Sequence, residues 1–186
     1  TRYSKPLVAI NLKNDDTVVD VFITNGKQDV FLTTSYGYAL WFSEDEVSIV
    51  GARAAGVKGI NLKDGDYIVN GKVFDPSASS EIVVVTQRGA IKKMKLTEFE
   101  KASRAKRGVV LLRELKANPH RIVGFAFVSK DDVLLLKTKN GTTESINPDD
   151  LRPNDRYSNG SFVVDINETG EVIELLIVTK KENGSE

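Results

Sequence analysis

VFLTTSYG at residues 30–37, IVVVTQRG at 82–89 and VLLLKTKNG at 133–141 are versions of one another. Each is an aliphatic, β-branched run that ends in polar residues and a glycine, the pattern of a strand entering a tight turn. The closing glycines Gly37, Gly89 and Gly141 are spaced by 52 and again by 52. A second match, INLKNDD at 10–16 and INLKDGD at 60–66, is offset by 50. The chain is therefore a repeat protein with a period near 50.

Working outward from these units, the remaining apolar stretches are also short and bounded by Gly, Asn, Asp and Pro. Strands are expected at 7–12, 17–24, 30–34, 39–41, 67–73, 81–86, 91–95, 121–128, 133–138, 142–145, 160–166 and 171–178. One unit of this length makes a four-stranded antiparallel sheet, which cannot cover both of its own faces. Radial packing of several such sheets buries them and keeps the edges short. The expected architecture is all-β and propeller-like: a partial blade at 1–28, blades at 29–79, 80–130 and 131–179, and a flexible tail at 180–186. A β-sandwich or a short-strand barrel, with the period accidental, is the competing reading.

With 186 residues and 40% apolar composition the chain can bury a sizeable core. It has no cysteine, hence no disulfide framework or thiolate metal site, and one histidine, His120, expected in a surface turn. No serine sits in an elbow-type glycine context, and no phosphate-cradling glycine motif is present. The acidic pairs Asp15/Asp16, Asp64/Asp66, Asp131/Asp132 and Asp149/Asp150 fall at strand connections, where aspartate bonds to its own turn. Neither catalytic nor metal-binding residues are assigned. The polar start and the lack of a long apolar run give no sign of a signal peptide or a membrane span.

The formal net charge is zero, yet it is unevenly distributed: −3 over residues 1–50, +8 over 51–128 and −5 over 129–186. The concentration peaks in RGAIKKMKLTEFEKASRAKR at 88–107. Arg88, Lys92, Lys93, Lys95, Arg104, Lys106 and Arg107 are the candidate DNA-binding residues, extended by Arg53 and Lys58 in the equivalent connector of the preceding unit. Such a band neutralises phosphates without reading bases. Trp41, Phe42, Phe74, Phe125 and Phe127 read as core, which argues against single-strand binding by base stacking. A protein-docking scaffold using Asp149, Asp150, Asp155 or Glu171 is the alternative from another class.

The stretches VFLTTSYGYALWF, AAGVKGINLKDGDYIV, VVVTQRGAIKKMKL and SRAKRGVVLLREL together resemble the C-terminal domain of the A subunit of bacterial type IIA DNA topoisomerases. They are more similar to the topoisomerase IV type than to the gyrase type. The resemblance implies a β-pinwheel, whose blades exchange a strand with their neighbours and whose basic outer rim bends duplex DNA. It further implies a non-catalytic domain that presents a DNA segment to a catalytic core for decatenation or relaxation. That core would use ATP and Mg2+, pair with a B subunit in an A2B2 heterotetramer, and work in the bacterial cytoplasm at the nucleoid. On this reading Tyr3, Tyr36, Tyr38, Tyr67 and Tyr157 are not the DNA-cleaving tyrosine. The gyrase type carries a Gln-Arg-Arg-Gly-Gly-Lys-Gly box; RAAGVKG at 53–59 and SRAKRG at 103–108 depart from it, which disfavours full wrapping. A fragment of the gyrase type is the alternative within the family.

Overall fold

The computed structural model describes residues 5–78 and 81–179; the expected tail at 180–186 lies outside the described residues. Each repeat begins with the quoted strand and turn. In the first, β1 (Asp29–Thr34) turns through Gly37 into β2 (Tyr38–Ser43), and β3 (Ile68–Phe74) returns along the other side of β1. The second repeats this with β4 (Glu81–Thr86), β5 (Ala90–Lys95) and, after the short strand β6 (Val109–Val110), β7 (Ile122–Val128). The third has β8 (Val133–Thr138), β9 (Thr143–Ile146), β10 (Ser161–Phe162), a one-turn helix α1 (Ile166–Thr169) and β11 (Val172–Val178).

The sheets do not respect repeat boundaries. Their strand orders are β3-β1-β2-β6, β10-β5-β4-β7 and β11-β8-β9. The first blade is thus closed by a strand from the second repeat, and the second blade by a strand from the third. The register is conserved in the exchange: Val110 faces Tyr38 and Val109 faces Ala39, as Phe162 faces Ala90 and Ser161 faces Ile91 one repeat later. A β-bulge recurs at Thr33/Thr34 and at Val85/Thr86, where an extra residue increases local twist.

Exchange at this closeness depends on glycine. Gly108 (φ +88°) and Gly160 (φ +78°) turn the chain into β6 and β10, and a Cβ at either would collide with the carbonyl oxygen of Ala39 or of Ile91. β3 packs against β7 and β7 against β11, so these strands form the inner side of the blade stack. The exchanged strands end the first two sheets on the outside.

Between the first two blades lies an aromatic core. Phe31 is fully buried, with Phe99 and Phe125 each 5.2 Å away, and Phe74 stacks on Phe127 at 4.4 Å. Between the second and third, Val83, Val85, Ile91, Leu134, Leu136 and Val172 make an aliphatic core. Burial of both sheet faces by neighbouring blades is the main favourable term in such a fold.

Residues 5–27 differ from the sequence expectation. No strand forms at 7–12 or 17–24; the segment is exposed and turns at 14–15, tied by bonds such as Asn11 N–H to Ala54 O (3.1 Å) and Gly71 N–H to Asp20 Oδ2 (3.1 Å). Its alternation is strand-like, but isolated backbone and side-chain bonds hold it, without a ladder. The stretch 160–166 likewise contributes only the short β10 before Asp165 caps α1. His120, expected at the surface, is buried, with Nδ1 3.0 Å from Thr86 Oγ1. Burial, reinforced by the nearby Arg88 charge, lowers its pKa.

Candidate nucleic-acid interface

The basic stretch 88–107 divides into side chains locked in the fold and side chains that face solvent. Lys92, placed on the rim by the sequence, is 1% exposed. Its ammonium donates to the carbonyls of Leu111, Arg156 (2.8 Å) and Ser158 (2.6 Å). Those carbonyls belong to the segments that carry the exchanged strands, so Lys92 ties the end of β6 to the approach of β10. Desolvation lowers its pKa to about 8, with Arg156 acting in the same direction and Asp155 and Glu98 opposing. Three carbonyl acceptors suit an ammonium, which has three hydrogens to give.

Lys93 is also buried, its Nζ 3.5 Å from Glu81 Oε2, and its carbonyl accepts the N–H of Asn154 (2.7 Å). Alternation along β5 suggests a solvent-facing strand because the sequence does not show what covers it. In the structure the exchanged β10 and the loop at 153–160 run along its edge, and carbonyls of that loop take the Lys92 ammonium. These positions correct the reading of Lys92 and Lys93 as exposed rim residues.

Arg104 is half-buried and holds a connector in place. Its backbone N–H lies 3.2 Å from both oxygens of the Glu46 carboxylate, Nε donates to Glu46 O (2.8 Å), and Nη1 donates to Lys58 O. The arrangement recurs one repeat on, where Arg156 N–H meets Glu98 Oε2 (3.4 Å) and its Nη1 donates to Val110 O (3.3 Å). Arg88 is half-buried too, with Nη1 on Asn118 O (2.9 Å), its guanidinium 5.4 Å from the Phe162 ring centre, and Nε buried without a partner among the described residues.

Arg53, Lys58, Lys95, Lys106 and Arg107 are exposed. Lys58 reaches Asn61 Oδ1 (2.9 Å), and Arg53 has φ +68° with its N–H on Ala9 O. Lys106 and Arg107 stand between Ala105 (φ +64°) and Gly108, at the entry to β6. Lys101, a basic residue of the same stretch, pairs with buried Asp29 at 2.8 Å. Three cations outside the sequence assignment, Lys63, Arg113 and Arg121, gather beside Tyr36 and Tyr38. They are spread over separate elements, and no local sequence pattern joins them.

Among the described residues no group of three or more His, Cys, Asp or Glu could hold a metal ion. No helix among them is long and apolar enough to cross a membrane.

Two four-stranded blades closed by strand exchange and a three-stranded third sheet, with a basic connector leading into the first exchanged strand, define a propeller-like repeat domain of the kind found in the A subunits of type IIA topoisomerases. The family model described as "DNA gyrase C-terminal domain, beta-propeller" matches residues 1–25, 28–75 and 80–129, and the chain belongs to this family. It is 56% identical over 171 residues to the A subunit of DNA topoisomerase 4 from Bacillus subtilis (strain 168), covering 92% of this chain and 21% of that protein. It superposes with a TM-score of 0.91 on the crystal structure of the C-terminal domain of DNA topoisomerase IV, at 63% identity, over 96% of this chain and 55% of that one. The C-terminal domain of the gyrase A protein shares the fold at a TM-score of 0.80 and 20% identity, over 91% and 57% of the two chains. The chain thus spans about a fifth of the length of the Bacillus relative.

Proposed function

We propose that this chain is a non-catalytic duplex-DNA-binding and bending module, presenting a DNA segment to the catalytic core of a topoisomerase IV. The carrying observation is the placement of exposed Lys106 and Arg107 at the mouth of an exchanged strand, on the outer edge of the blades. Arg53, Lys58, Lys95 and the partly exposed Arg88 extend the contact set. Lys92, Lys93 and Arg104 serve it indirectly, by holding the strands and connectors that carry the others. The contacts are to phosphates, so binding depends on salt and only weakly on sequence. Bending a 20–30 bp site by 40–90° costs on the order of 1–6 kcal/mol, within reach of several phosphate contacts. The ATP, Mg2+ and B subunit required for decatenation or relaxation belong to the rest of the assembly.

The test is titration of a labelled duplex of about 30 bp from about 50 to about 200 mM salt, where phosphate-driven binding falls steeply. The expected result is strong binding at low salt that a K106A/R107A variant weakens for every sequence alike. Absence of binding by the wild type at the lowest salt overturns the reading.

A further inference from the structure

The exchanged strands create a second repeated feature. Where β6 closes the first blade, Tyr36, Val110, Leu112 and Arg113 line a cleft of about 440 Å³. Their counterparts one repeat later, Arg88, Phe162, Val164 and Asp165, line a cleft of about 570 Å³ where β10 closes the second. Both clefts hold an arginine laid on an aromatic ring: Arg121 over Tyr36 at 4.3 Å, and Arg88 over Phe162 at 5.4 Å.

Their charges differ. Lys63, Arg113 and Arg121 face the first cleft against Glu114, 3.7 Å from Arg121, and Asp66, whose Oδ1 accepts the N–H of Tyr36 at 3.0 Å, whereas the second cleft is lined by one arginine, Arg88, and one aspartate, Asp165. In the first, the ring of Tyr36 is covered by Arg121 and that of Tyr38 by Lys63 at 5.2 Å, so neither covered face is left to stack on a base. Stacking limits the Arg121 head, and the backbone at Arg113 is clasped both ways by Asn159, through N–H to Oδ1 (2.6 Å) and Nδ2–H to O (3.1 Å), while its side chain is exposed. A stacked guanidinium such as that of Arg121 loses little freedom on meeting an anion, and the fork geometry of both arginines matches phosphate oxygens.

We propose that the first cleft is a backbone-phosphate site for duplex DNA, with Lys63, Arg113 and Arg121 as its ligands. It rests on the duplex-binding reading above and extends it: Lys106 and Arg107 enter β6 and Arg113 leaves it, so one exchanged strand carries a contact at each end. The second cleft, with Asp165 where the first has Arg113, contributes little.

The experiment is the same duplex titration with R113D, which gives the first cleft the residue of the second, and with D165N. The asparagine keeps the α1 cap, where Asp165 Oδ1 accepts the N–H of Asn167 at 3.0 Å, while removing the charge. R113D, with its folded circular dichroism spectrum unchanged, is expected to weaken binding roughly tenfold and to lower the salt slope by about 1. D165N is expected to strengthen binding about twofold, by relieving repulsion of phosphate. An R113D titration superimposable on wild type, with K106A/R107A still impaired, overturns the cleft and leaves the rim standing. No binding by the wild type overturns the underlying reading itself.

Discussion

The connectors entering β6 and β10 share one geometry and carry different chemistry. KASRAKRG at 101–108 and NDRYSNG at 154–160 both end in a left-handed glycine, deliver a short strand in the same register, and use an arginine and a glutamate to fasten the turn. The first presents Lys106 and Arg107 to solvent, where the second has Ser158 and Asn159. Fastening residues recur because each blade must be closed; charged ones need not recur, because the fold makes no use of them. Position within a repeat therefore separates side chains that build the domain from side chains available to a ligand.

The largest break in this comparison comes from the glycines. G108A and G160A meet both a positive φ and a neighbouring carbonyl, and each is expected to cost about 3 kcal/mol in urea unfolding. G56A, at the equivalent point of the preceding connector, has φ +78° but no atom within 4 Å of the added carbon. It is expected to cost only about 1 kcal/mol, the left-handed backbone term alone.

Next comes Lys92, which spans both junctions. K92M leaves three carbonyls without their donor and is expected to lower stability by about 2 kcal/mol at neutral pH. The pH dependence has a definite sign. An ordinary lysine keeps its proton to 10.5, but Lys92 in the fold loses it near 8. Between those values the unfolded chain binds more protons, so the stability contributed by this group rises with pH. Urea midpoints at pH 7 and pH 10 should show the wild type gaining on K92M; a gap that narrows refutes the assignment.

A smaller effect is expected at the fastening arginines. R104A removes two guanidinium bonds to backbone carbonyls and should cost about 1 kcal/mol, and R156A, which removes one such bond at 3.3 Å, somewhat less. Thermal melts of the two variants would rank them.

The repeat, the turn glycines and most strands are legible in the sequence because they depend on local periodicity and on positive φ. The exchange is carried only by the family resemblance. β6 and β10 are too short to show alternation, and their partners β2 and β5 each lie more than a full repeat earlier in the chain. That gap explains the misplacement of Lys92 and Lys93: in KKMK the residues alternate as on an open strand, but a segment from the next repeat runs along its edge and takes the Lys92 ammonium. His120 misleads for a similar reason, since its partners Thr86 and Phe162 come from two different repeats. The candidate cluster of Lys63, Arg113 and Arg121 assembles across the first junction, from residues with no common motif.

The most direct test sets an exposed pair against the locked lysine. Duplex binding would be titrated with salt for the wild type, K106A/R107A and K92M, each at a temperature where circular dichroism shows it folded. The expected result is a salt slope lowered by about 2 in K106A/R107A, about one for each lost phosphate contact, and a slope in K92M that matches the wild type. A lowered slope in K92M, with K106A/R107A unchanged, would contradict the division between buried fasteners and exposed phosphate ligands.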